Sequence, residues 1–177
     1  IGVLIVESTA VSMTAALLCE LMKNKIDVVF CDEKHNPQSQ LLAFAGRHDA
    51  SGCLRRQIGW AEEVKASVWA RIVQLKIGRQ CRFLQEVDHP QAKLLEGYVQ
   101  QVLPGDASNR EGHAAKVYFN ALFGMSFKRG DENFLNAALN YGYAVLLSAF
   151  NREVVANGYN MQLGLAHKNE FNPFNLS

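Results

Sequence analysis

Between Trp60 and Val87 the chain runs without a proline, apolar on nearly every side of a helical projection, with Gly78 as its one place to bend. Such a stretch reads as one long helix, and a helix apolar all round belongs at the centre of a core. The remaining elements must therefore be able to pack around it. From Ser51 onward the text is helical almost throughout. Pro90 opens a helix reaching Leu103, and Ser108–Phe123 forms another. Asp131 caps a third from Glu132 to about Ala156, with Leu135, Ala138, Gly142, Val145, Leu146 and Ala149 on one stripe, and Gly158 ends it. A short helix is expected over Met161–Ala166. The small residues Ala114, Ala115 and Gly142 read as places of close helix packing.

The first 31 residues read differently. Gly2–Glu7 and Ile26–Cys31 are short apolar runs of strand type, and Ser8 or Thr9 caps a helix between them that reaches about Lys25. This is the pattern of a βαβ crossover, or of a strand pair covered by a helix. Two strands do not make a stable sheet. The rest of the sheet is therefore expected from residues outside this chain or from a partner. Asp32–Gly52 is a long polar connection holding His35 and His48. The fold class expected is α+β, mainly α. A partial N-terminal β-domain spans 1–35, a linker 36–50, and a helical domain 51–177. The chain opens in mid-pattern at Ile1 and stops without a cap at Ser177, so it reads as an interior fragment or one with ends missing.

Four cysteines, Cys19, Cys31, Cys53 and Cys81, are widely spaced with no C-x-x-C pair. That pattern argues against a zinc site and a disulfide framework, and for reduced thiols in a cytoplasmic protein. No apolar run approaches the roughly 20 residues of a membrane span. The net charge of +1 does not announce a nucleic-acid partner. A basic lean sits in residues 51–88, but its cations share their helical arc with Val68, Ile72 and Leu75. They read as long side chains snorkelling around a helix.

One stretch carries candidate chemistry: Ser108-Asn109-Arg110-Glu111-Gly112-His113-Ala114-Ala115. Ser108 is a good N-cap residue, and Glu111 three positions on completes a capping box. In a helical projection Glu111, Ala115, Tyr118 and Leu122 also share one stripe. A carboxylate beside small alanines on an inward stripe could instead hold a metal ion. His113 points away from that stripe and is not expected to be a ligand.

Three ordered blocks resemble a known family. They are Glu111-Gly112-x-Ala-Ala-x-x-Tyr118-Phe119, Asn136-x-x-Leu-Asn140-Tyr141-Gly142-Tyr143-Ala144, and Gly164-Leu165-x-His167 leading into Asn172-x-Phe174-Asn175-Leu176. They look like the signature blocks of the CRISPR-associated adaptation integrases, which insert new spacers into a CRISPR array. Leu4-Ile5-Val6-Glu7-Ser8, the Val28-Val29-Phe30-Cys31-Asp32 run and the Gly46-Arg47-His48-Asp49 turn are similar to the type II branch. The resemblance covers nearly the whole chain.

It implies a small N-terminal β-domain and an all-helical catalytic domain. It implies a homodimer that assembles with a second, smaller adaptation protein on double-stranded prespacer and repeat DNA. It also implies a divalent-metal-dependent endonuclease and strand transferase. By position, Glu111 matches the family's glutamate ligand and His167 its histidine. The further acidic ligand lies downstream of the Asn-x-Phe-Asn-Leu block, beyond Ser177, and Glu170 sits too early to replace it. Carboxylate oxygen suits Mg²⁺, while a histidine ligand shifts the preference towards Mn²⁺ and must be neutral to bind. Arg55, Arg56, Lys76 and Arg79 are the candidate phosphate contacts. The alternative reading is a non-catalytic helical DNA-binding or scaffold subunit.

Overall fold

The computed structural model describes residues 2–44, 46–167 and 169–176. Ile1 and Ser177, from which the open ends were read, lie outside them. The described chain is mainly helical with one small sheet, and it divides into two compact units. The first comprises residues 1–59, 130–164 and 169–177, and the second 60–129 and 165–168.

In the first unit, β1 (Val3–Val6) runs parallel to β2 (Asp27–Cys31), with Val3 opposite Asp27 and Val6 opposite Phe30. Helix α1 (Ala15–Lys23) makes the crossover, started by the Thr14 hydroxyl, which accepts the Leu17 N–H at 3.2 Å. The sheet is completed inside the chain. β3 (Pro37–Leu41) pairs antiparallel with β2, with a register shift at Phe30–Cys31. The linker expected over 36–50 therefore contains a paired strand, and β3 supplies a strand expected from elsewhere. Its sequence, Pro-Gln-Ser-Gln-Leu, carries none of the β-branched signal of β2. An edge strand tolerates this, and Pro37 sits at its first residue, where a missing N–H does least harm.

Helices α2 (Ala50–Ile58) and α6 (Phe134–Ala156) belong to the same unit, and α6 packs on β2 and β3. Polar side chains fasten it there. Asp27 is almost fully buried; it accepts from Gln40 Nε2 at 2.6 Å and from the Ser148 hydroxyl at 3.1 Å. Asn151 Nδ2 then donates to Gln40 Oε1 at 2.9 Å. The expected start of α6 moves by two residues. Its cap is Asn133, whose side chain accepts the Asn136 N–H at 2.8 Å, while the Asp131 carbonyl accepts from the Asn136 amide. Gly142 is not a packing gap: among the described residues, no atom beyond its own stretch of helix lies within 4 Å of where its Cβ would stand. The helix expected over 161–166 is absent. Buried Gln57 donates to the carbonyls of Asn160 and Leu163 and accepts the Asn160 N–H at 2.8 Å, which fixes turns there instead.

In the second unit, α3 (Glu62–Glu86) is the central element, as its length suggested. It buries one face only: Trp69, Ala70, Val73, Ile77, Cys81 and Leu84. The opposite face leaves Val64, Val68, Ile72, Leu75 and Phe83 exposed, so the expected all-round burial does not hold among the described residues. Against the buried face pack α4 (Ala92–Gln100), through Ala92 and Leu95, the following Val102, and α5 (Arg110–Phe123), through Ala114. Val73, Ile77, Leu84 and Leu95 are wholly buried, each contributing about 1.5–3 kcal/mol of transfer free energy.

Candidate metal and DNA site

Glu111 lies in the first turn of α5, and the chain reaches that turn by an unusual path. In and just after a 3-10 turn (Pro104–Asp106), Gly105, Asp106 and Asn109 all have positive φ, at 65°, 52° and 50°. Asp and Asn tolerate this region better than most residues, because their short side chains bond locally. Asp106 does so. Its two carboxylate oxygens accept the N–H groups of Arg110 at 2.8 Å and Glu111 at 3.0 Å. These are two of the donors that every helix start leaves without an internal partner, and the charge sits well in the helix dipole.

The expected capping box is therefore not formed. The helix begins after Asn109, Ser108 turns its hydroxyl to the Gln101 carbonyl at 3.1 Å, and Glu111 falls in the first turn. Its carboxylate is released from capping and points to α3, where Lys76 Nζ lies 2.5 Å from Glu111 Oε1. Ala114 is fully buried, so α5 approaches α3 closely at this level.

His167 follows Leu165 and Ala166, which pack against the α3 core. Its ring meets Trp69 edge to face, with centroids 5.0 Å apart and planes at 78°. The Trp69 indole, itself buried, is thus a platform that orients an exposed imidazole. Trp69 and Lys76 are seven residues apart, so they share a face of α3 at a spacing of about 10 Å along its axis. Glu111 thus meets α3 at Lys76, and His167 meets it at Trp69.

His113 makes other contacts. Its Nδ1 lies 3.2 Å from an Arg110 guanidinium nitrogen, and Arg110 stacks over Tyr98 at 5.0 Å. Among the described residues no group of three His, Cys, Asp or Glu side chains comes together to hold a metal. Glu111 carries carboxylate oxygens and His167 imidazole nitrogens, donor types that suit Mg²⁺ or Mn²⁺.

The phosphate candidates divide between the units. Lys76 pairs with Glu111, and Arg79 is exposed one turn along α3. Arg55 and Arg56 are exposed on α2, where Arg56 reaches Asp49 at 3.7 Å and the Cys53 sulfur at 3.1 Å. Sequence reasoning missed three contributors: Asp106 as the cap, Lys76 as the partner of Glu111, and Trp69 as the support of His167. Only Asp106 left a local signal, an acidic residue just before a helix start.

The family model described as "CRISPR associated protein Cas1" matches residues 2–177. A curated relative, the "CRISPR-associated endonuclease Cas1" of Neisseria meningitidis serogroup C (strain 8013), is 40% identical over 178 residues. The match takes in all of this chain and 59% of the relative's length. A solved structure, "Partial Cas6-RT-Cas1--Cas2 complex", aligns with 93% of this chain and 56% of its own at a TM-score of 0.63. At 18% identity that likeness is one of fold. No helix among the described residues is long and apolar enough to cross a membrane.

Proposed function

The chain belongs to the CRISPR-associated Cas1 family, and on that premise we propose that it forms part of a spacer-acquisition integrase. In this reading it is a divalent-metal-dependent endonuclease and strand transferase acting on double-stranded prespacer and repeat DNA. The relative's printed name, an endonuclease, supports the nuclease chemistry. The name of the structural neighbour, a complex with Cas2, supports a smaller adaptation partner. A homodimer in the cytoplasm completes the proposal.

The observation that supports it is that Glu111 and His167 each contact α3, at Lys76 and at Trp69. Those two residues would hold Mg²⁺ or Mn²⁺. Such an ion, when bound, would neutralise charge on a phosphodiester and orient attacking and leaving oxygens. The chain's own residues do the rest. Asp106 fixes the first turn of α5, and with it the direction of the Glu111 side chain. Trp69 fixes the plane of the His167 ring. Lys76 and Arg79 supply positive charge to a DNA backbone, so binding falls as salt rises. The reaction joins a DNA 3′-hydroxyl to a repeat phosphate and releases the repeat's own 3′-oxygen; with water as attacker the same arrangement cleaves.

The test is strand transfer of an end-labelled prespacer into a repeat-bearing plasmid in Mn²⁺. It uses the full-length protein with its smaller partner. Glu111→Ala and His167→Ala should each abolish product while leaving the protein folded. If both variants integrate like wild type, the chain is a scaffold and the enzymatic reading is wrong.

A further inference from the structure

The Lys76–Glu111 pair joins two residues with opposite tasks. As a metal ligand, Glu111 must receive a cation; as a DNA contact, Lys76 must offer one. Yet Lys76 Nζ sits 2.5 Å from Glu111 Oε1, joining α3 to α5. Both side chains are open to solvent, Lys76 at 49% and Glu111 at 26%, so the pair can open without unpacking the core. The ammonium holds the carboxylate where another cation would bind it. Lys76 lies one turn from Arg79 on α3. Once released, its ammonium stays tethered beside a second exposed cation.

We propose that Lys76 is a positioning residue that exchanges the Glu111 carboxylate for a DNA phosphate when a divalent cation binds, which couples metal binding to DNA binding. The inference rests on the reading of Glu111 as a metal ligand and of DNA as substrate. The pair is solvent-exposed, so its strength is that of a surface ion pair and its opening corresponds to about a two- to five-fold change in affinity. Linkage requires the coupling to be reciprocal: the cation raises DNA affinity by the factor by which DNA raises cation affinity.

The test uses the full-length protein, Mn²⁺ calorimetry without DNA, and anisotropy of a prespacer duplex whose 3′ ends are blocked, with and without Mn²⁺. Lys76→Met should bind Mn²⁺ about two- to five-fold more tightly than wild type, since the competing ammonium is gone. The gain in DNA affinity on adding Mn²⁺ should be smaller in Lys76→Met by a similar factor. The salt slope of its DNA binding in Mn²⁺ should be shallower by about 0.9, one phosphate contact. Lys76→Arg, which keeps the charge, should behave like wild type on all three measures. If Lys76→Met matches wild type in Mn²⁺ affinity and in the Mn²⁺-dependent gain, Lys76 is a structural ion pair only and the inference is overturned. If wild type binds Mn²⁺ and Glu111→Gln binds it equally well, the reading of the ligand fails first and the inference falls with it.

Discussion

Replacing Asp106 separates the cap on α5 from the backbone conformation that delivers it. The carboxylate holds the N–H groups of Arg110 and Glu111 at 2.8 and 3.0 Å, and the residue sits at φ 52°. Losing an N-terminal cap destabilises by about 0.5–2 kcal/mol. An alanine in the left-handed region adds about 1–2 kcal/mol of strain, whereas glycine occupies that region freely. Asp106→Ala should therefore lose about 1.5–4 kcal/mol. Asp106→Gly, which loses the cap without the strain, should lose about 0.5–2 kcal/mol. Asp106→Asn keeps one acceptor and the tolerance of positive φ, and should lose least.

Urea unfolding gives the ranking. Native-state hydrogen exchange gives the location, because the Arg110 and Glu111 amides should both lose protection in the alanine and glycine variants, and one of them in the asparagine variant, ahead of those in the middle of α5. Equal stability of the alanine and asparagine variants, or unchanged protection of those two amides, would refute the role assigned to Asp106.

Other consequences are simpler to check. Ser148→Ala removes one donor from the buried Asp27 carboxylate, and leaving an acceptor unsatisfied should lower stability by about 1–3 kcal/mol in thermal unfolding. Among the thiols, exposed Cys19 should react first with a maleimide, and buried Cys31, Cys53 and Cys81 only on unfolding. Burial raises the Cys31 and Cys81 thiols above their ordinary value of 9.0. Above that pH the unfolded chain sheds these protons while the folded one keeps them, so stability should fall as the solution turns alkaline. Urea midpoints compared between neutral pH and pH 10, with and without Cys81→Ala, measure that slope.

Helix periodicity made the long elements legible. The expected Trp60–Val87 became Glu62–Glu86, within two residues at either end. What periodicity cannot show is which apolar face finds a partner, so the exposed stripe from Val64 to Phe83 was not foreseen. β3 was hidden because an edge strand needs little from its side chains beyond Gln40, whose value lies in a bond to Asp27 thirteen residues earlier. Ser108 and Asp131 were plausible caps that lost to Asp106 and Asn133, since cap choice depends on local φ as much as on residue type. Glu111 and His167 came from resemblance to a family, not from spacing. The contacts that direct them, Lys76 and Trp69, lie 35 and 98 positions away, where no local pattern reaches.

The central claim is that Glu111 and His167 grip one dication, and Mn²⁺ electron spin resonance on the full-length protein addresses it directly. The account predicts a single bound Mn²⁺ per chain with hyperfine coupling to one imidazole nitrogen. That coupling should vanish in His167→Ala, and the bound signal should weaken at least about ten-fold in Glu111→Gln. A nitrogen coupling that survives in His167→Ala, or Mn²⁺ binding indifferent to Glu111→Gln, would contradict it.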